Sequence, residues 1–401
     1  MSALAQLHEL RVRLAAKEAT TESLALAAGA IAFLIAALLA WPVLGLQPVD
    51  IAGPGSLGEY VAIASAAVAL AAFVGGRVLS AHHHDGAGPA VITGVDGPLV
   101  GFTTHRAPRF LDVAALALAH GVIFLLMWTG IADLLEKSFQ GAEVFTIPAL
   151  ILSGAAAAVS AYFSYLSAAG MNAMRLSGVL LVFLVVGSLT AMLTSNDPDW
   201  WRMNLSALGI TDDVSAMAFN LTLIVAGVIL TTIARYATAG LIREGEAIPR
   251  GVRFVRWGLV VMGIALACVG IFHVDDFFLI HNTVATGMVV AFAVLVAGLP
   301  RFLPQLPKTF MSLGYLFLAV IVFTAVLFAT GYYNLTAVEL VAAVLIFSWI
   351  IVFLRTVSAT SSDERRTDAA EHRARAEAAV AESAAEAAAA ARAAPDGLPA
   401  A

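Results

Sequence analysis

Phe254-Val255-Arg256-Trp257-Gly258-Leu259-Val260-Val261-Met262-Gly263-Ile264-Ala265-Leu266-Ala267-Cys268-Val269-Gly270-Ile271-Phe272 carries a single charge, near its start. Wound as a helix at about 1.5 Å per residue, a run of this length crosses a hydrocarbon core of about 30 Å. That core holds no water to satisfy open backbone groups, so the run reads as a helix. Its flanks differ in charge. Arg243, Arg250 and Arg253 precede it, and Asp275 and Asp276 follow it. The positive flank gives the span a direction, because Lys and Arg are retained on the cytoplasmic side.

The same pattern recurs through the 401 residues, of which 60% are hydrophobic and 12% charged. A soluble domain carries about 25% charged residues. The spacing predicts ten spans, at 24–46, 58–78, 111–132, 146–169, 176–195, 216–239, 254–272, 279–299, 309–330 and 335–354. Threaded this way, 20 of the 22 Lys and Arg residues fall on one side. They include Arg11, Arg13, Lys17, Arg77, Arg106, Arg109, Arg175, Arg235, Arg256, Arg301, Lys308 and Arg355. Only Lys137 and Arg202 fall on the other. A count shifted by one span destroys this segregation. The expected fold is therefore an all-α, polytopic transmembrane helical bundle of about ten spans, with both termini cytoplasmic. The first apolar run starts near Leu24 and lacks a clear small-residue cleavage site, so it reads as a retained span. Arg outnumbers Lys by 19 to 3 and Ala is abundant. This points to a GC-rich bacterial genome and hence to the plasma (inner) membrane.

The chain divides into an N-terminus at 1–23, a four-helix membrane unit at 24–170 with a long cytoplasmic loop at 79–110, a six-helix unit at 176–354, and an Ala/Glu/Arg-rich cytoplasmic tail at 355–401. Ala90 to Val95 alternates as a short hairpin does. Gly154 to Ala161 is almost all small residues and suits close helix packing. The tail favours helix but has no apolar stripe, so it does not read as a coiled coil. Cys268 stands alone in an apolar run, which excludes a disulfide framework or a CxxC pair.

The loops opposite the arginines are acidic, with Asp50, Glu59, Asp133, Glu136, Glu143, Asp197, Asp199, Asp212, Asp213, Asp275 and Asp276. They serve either as solvated outer loops or as a surface for cations and cationic groups. Two outer segments concentrate the polar chemistry. The first runs from Asp197 to Gly209 and is followed by Phe219-Asn220. Trp200 and Trp201 in it fit interfacial anchors, and Asn204 and Ser206 suit a helix cap or a headgroup. The second is His273-Val274-Asp275-Asp276-Phe277-Phe278-Leu279-Ile280-His281-Asn282.

Asn204-Leu205-Ser206-Ala207-Leu208-Gly209, Phe219-Asn220 and the Phe272–His281 turn, set in six spans, resemble the DRAM (damage-regulated autophagy modulator) group, which includes the FGF-receptor-activating type and bacterial relatives of unknown function. The resemblance covers residues 176–354. It implies a lipid-associated or regulatory membrane protein with no established catalysis. The turn carries Phe272-His273 where the group's pattern has Phe-Pro.

The same residues admit an enzyme reading. A zinc-dependent lipid hydrolase at the outer face would use His273, His281 and Asp275 as ligands, with Ser206 beside them. His273 and His281 are eight residues apart, about 12 Å on one helix, so the turn between them must break the helix for both to reach one ion. His120 lies within the third span and is expected to bond a neighbouring helix. A small-solute or lipid transporter with a polar path through His120 and Asn220 is a third reading. Glu339 lies near the outer end of the last span, where it can snorkel to water. His82-His83-His84-Asp85 reads as a solvated cluster. No Walker loop, GxGxxG site, GxSxG elbow or HExxH helix is present, and no basic patch suits nucleic acid.

The leading expectation is a non-enzymatic membrane protein with no catalytic residue assigned and no cofactor. Its outer face binds a membrane lipid or an envelope protein through Asn204, Ser206, Asn220, Asp275, Asp276 and His281, and its tail meets a cytoplasmic partner.

Overall fold

The computed structural model describes residues 3–85, 106–171, 173–210, 212–239 and 248–357. Among them are ten helices long and apolar enough to cross a membrane. These are α1 (Ala3–Leu44), α2 (Leu57–Asp85), α3 (Arg106–Ser138), α4 (Thr146–Ala169), α5 (Ala173–Thr194), α6 (Val214–Ala239), α7 (Arg250–Ile271), α8 (Phe278–Phe302), α9 (Lys308–Ala329) and α10 (Leu335–Val357). The chain is thus an all-α, multi-pass membrane bundle, and each span lies close to its expected position.

The differences have local causes. Helix α3 runs on to Ser138, past the expected end at 132, because its polar last turns are satisfied there. Lys137 pairs with Asp133 at 2.7 Å, one turn away, and also donates to the Leu193 carbonyl of α5. Helices α2 and α3 both extend into the expected 79–110 loop, reaching Asp85 and starting at Arg106. The Ala90–Val95 hairpin and the tail beyond 357 lie outside the described residues. A two-residue ladder is new: β1 (Val49–Asp50) pairs antiparallel with β2 (Glu143–Val144), Val49 opposite Val144. It joins the α1–α2 and α3–α4 connections at the acidic end, and is too short to leave a period in the sequence.

Small residues set the packing of the first helices. Helix α4 lies against α1 and α2. A Cβ on Gly29 would stand 3.2 Å from the Ala158 carbonyl oxygen, and one on Gly154 would stand 2.9 Å from that of Phe33. In lipid there is no hydrophobic drive between helices, so such close approach supplies the dispersion contact that holds them. The opposite face of α4 exposes Ile147, Ile151 and Phe163. Helix α3 packs on α2 and also on α5 and α6. One core therefore runs from Phe73 on α2 to Val357 on α10.

The two ends differ in what their charges do. At the arginine-rich end, Arg77 and Arg175 donate to the Ala168 and Leu166 carbonyls at 3.4 and 3.3 Å. These belong to the last turn of α4, whose carbonyls lack helical partners and carry the negative end of the dipole. Arg256 Nε donates to Thr238 Oγ1 at 2.9 Å and ties α7 to α6. At the acidic end, the two off-pattern cations are neutralised locally. Lys137 has Asp133, and Arg202 pairs with Asp199 at 3.2 Å.

Candidate functional site at the acidic end

Between α5 and α6 the chain forms two 3-10 turns, Trp200–Arg202 and Leu205–Gly209. Asp197 starts this path by accepting from the Asp199 amide at 2.8 Å, an Asx-type turn around Pro198. The second turn sinks into the bundle, with Ser206, Ala207, Leu208 and Gly209 buried. Gly209 is required by contact: a Cβ there would stand 2.5 Å from Asn220 Oδ1 and 2.9 Å from the Phe219 ring.

Three helices and one connection hold this turn. The Leu205 amide, which opens the turn and has no partner within it, donates to Glu339 Oε2 of α10 at 2.5 Å. Ser206 Oγ lies 2.9 Å from His281 Nε2 of α8. The Gly209 carbonyl accepts from Asn220 Nδ2 of α6 at 3.0 Å. The Trp201 carbonyl accepts from Asn334 at 2.9 Å, while Asn334 Oδ1 caps α10 through the Ala337 amide.

The proton positions follow from the partners. His281 is buried, and its Nδ1 lies 2.7 Å from the Phe272 carbonyl. A carbonyl only accepts, so Nδ1 carries a hydrogen and donates it, and Nε2 faces the Ser206 hydroxyl. Asn220 Nδ2 also lies 3.1 Å from His273 Nε2. Because the Gly209 carbonyl orients that amide, Asn220 donates to His273 Nε2, which leaves the His273 hydrogen on Nδ1. The structure thus brings the Asn204–Gly209, Phe219-Asn220 and Phe272–His281 segments into a single network.

Asn204 leads into the buried turn, and its Oδ1 is buried without a partner in the described residues. Asp275 and Asp276 are exposed, and with the half-buried His273 they present ligand atoms within 4.8 Å of one another. The zinc reading needs His273, His281 and Asp275 on one ion. In the structure Asp276 stands with His273 and Asp275, and both ring nitrogens of His281 are engaged by Phe272 and Ser206. Trp200 is half-buried against the core. Trp201 is exposed, with the Arg202 guanidinium 5.3 Å from its ring. Phe278, Leu279 and Tyr332 add to an exposed apolar rim.

His120 offers an internal comparison. Its Nδ1 lies 2.8 Å from the Leu116 carbonyl and its Nε2 lies 2.8 Å from Ser167 Oγ of α4. It bonds a neighbouring helix, with Phe73 tilted over it at 4.5 Å between centroids. His120 and Asn220 sit in separate hydrogen-bond clusters. Carbonyl–imidazole–serine is therefore used twice, and at both places it leaves a buried imidazole with both ring nitrogens bonded. In a hydrolytic triad a carboxylate orients the base. At His281 the Phe272 carbonyl holds that position.

Sequence reasoning missed Glu339 as the anchor of the 3-10 turn, since position along α10 shows only that it is near an end. Asn334 did carry a signal, an Asn directly before an apolar run. The Ser206–His281 pair is expected to couple by about 0.6–1.7 kcal/mol, the range for polar pairs between membrane helices. A double-mutant cycle with Ser206→Ala and His281→Ala, read by thermal melting in detergent, checks this.

Residues 176–356, from α5 to the end of α10, match the family described as Protein of unknown function (DUF998). The match spans just under half of the chain and includes every residue of the network above. No curated protein and no solved structure matches the chain.

Proposed function

We propose that this chain is a non-enzymatic protein of a bacterial plasma membrane, with its arginine-rich end cytoplasmic, and that its acidic outer end binds a lipid or an envelope partner carrying a cationic group. The observation that carries this reading is the division of labour at that end. Ser206, His281, Asn220 and Glu339 are committed to holding one another and the 3-10 turn. Asp275 and Asp276 stand exposed beside Phe277 and Phe278, also exposed, at the head of α8. A fixed mount below exposed carboxylates and aromatic rings suits recognition of an amphipathic cation. The resemblance of residues 176–354 to the DRAM group supports the same class of function.

The test is the lipid and protein complement that the full-length protein retains through purification. Asp275→Asn with Asp276→Asn is expected to weaken retention of cationic-headgroup ligands roughly two- to fivefold per carboxylate, with an unchanged melt because both side chains are exposed. Lipid hydrolysis by the purified protein, lost in Asp275→Asn, would overturn the reading. A second reading, an outer-face zinc-dependent lipid hydrolase, draws on the 2.9 Å Ser206–His281 contact. About one zinc per chain, lost in His281→Ala together with turnover, would favour it.

A further inference from the structure

Two hollows lie along the seam where α7 packs on α8. At the arginine-rich end it forms a groove of about 640 Å³ whose mouth carries Arg250, Arg253 and Trp257. Past Val261 it continues into a second hollow of about 300 Å³, bordered by Cys268 and Gly287. Arg250, Arg253, Trp257 and Val261 recur at three- and four-residue steps, so one face of α7 carries charge, then indole, then hydrocarbon. Leu295 packs directly on Gly258 and forms a floor, whereas a Cβ on Gly287 would meet nothing within 4 Å.

We propose that this seam is a binding site for an anionic phospholipid of the leaflet at the arginine-rich end. Its phosphate sits on Arg250 and Arg253, and one acyl chain lies along Val261 toward Gly287. The charge and the hydrocarbon are arranged in the order a phospholipid presents them. Guanidinium groups match phosphate oxygens bidentately. The N-terminal end of α7 adds the positive end of a helix dipole at the same level. Trp257, 65% exposed, is placed where an indole meets the headgroup boundary. Arg77, Arg175 and Arg256 are turned to helix carbonyls or to Thr238, whereas Arg250 and Arg253 line the groove. Basic pockets between membrane helices select anionic over zwitterionic headgroups. The site lies at the opposite end of α7 from Asp275 and Asp276, so it stands apart from the acidic-end reading.

Native mass spectrometry of the full-length protein tests it, with phosphatidylglycerol and phosphatidylcholine of identical chains added in turn. The wild type is expected to retain phosphatidylglycerol preferentially. Arg250→Gln with Arg253→Gln is expected to reduce that preference about fivefold per arginine, on the order of 30-fold for the pair. Gly287→Leu adds a side chain at the hollow where a Cβ meets nothing within 4 Å, and is expected to keep the wild-type melt and to weaken both lipids together. Excess inorganic phosphate is expected to leave the lipid bound. Equal retention of the two lipids by the wild type would overturn the proposal, as would an undiminished preference in the arginine double variant. Unchanged binding in Gly287→Leu would overturn the acyl-chain placement. Displacement of the lipid by phosphate would overturn the phospholipid itself and leave a free-anion site. None of these outcomes bears on the carboxylates at the other end.

Discussion

Gly263→Leu is expected to abolish recovery of folded protein, whereas Gly287→Leu is expected to yield as much as the wild type. The two glycines lie on adjoining helices and differ in what faces them. A Cβ on Gly263 would stand 2.7 Å from the Gly227 carbonyl oxygen and 3.1 Å from the Thr231 amide nitrogen. A Cβ on Gly227 would meet the Gly263 carbonyl and stand 2.8 Å from the Ala267 nitrogen. These are backbone atoms, which move only if the helices part. About two turns farther along, a Cβ on Gly270 would stand 2.7 Å from the Asn220 carbonyl oxygen. The α6–α7 seam therefore sets where Asn220 meets His273, and parting it removes the site as well as the packing. The cost is expected to exceed the roughly 1–3 kcal/mol of ordinary overpacking. Yield and size-exclusion profile in detergent measure it. A monodisperse Gly263→Leu protein with the wild-type melt would show that the helices do not approach as described.

Trp349→Ala carries the other large effect, about 3–5 kcal/mol. Trp349 is 1% exposed in α10. It stacks on Phe353 at 5.5 Å and 7° and on Phe310 of α9 at 5.3 Å and 27°, and meets Phe292 of α8 edge-on at 5.3 Å and 84°. This one side chain thus joins three helices. In a bilayer the loss comes chiefly from dispersion contacts, because lipid tails are as apolar as the core. The indole Nε1 has no hydrogen-bond partner among the described residues. Trp349→Phe therefore sacrifices volume alone and is expected to cost clearly less than Trp349→Ala. Denaturant or thermal unfolding separates the two variants, and equal losses would mean that the stacking geometry contributes little.

The spans were legible because the bilayer imposes a requirement that composition alone can meet. Phe254 to Phe272 reads as a span without knowledge of any neighbour, and α7 occupies Arg250–Ile271. The three polar segments were also legible as segments, since polar residues next to apolar runs stand out. Their pairing was not. Ser206 meets His281, and Asn220 meets His273, across 75 and 53 residues of chain. Glu339 reads as a residue able to reach water, yet it accepts from Leu205 across 134 residues. Hydropathy says how long a helix is, but not which way it is rotated about its axis.

The sequence by itself therefore determined the class, the number of spans and the one-sided placement of arginine, because each depends on transfer of local groups out of water. Only the tertiary structure decided which polar atoms hold one another and which stand free. It turned the Ser206, Asn220 and His281 side chains into a mount and left Asp275 and Asp276 exposed. It also spent Arg77 and Arg175 on the end of α4 while aligning Arg250 and Arg253 along a groove. Those outcomes depend on how closely helix backbones approach and on the rotation of each helix, which glycine contacts such as Gly227 with Gly263 set at a distance from the groups they position.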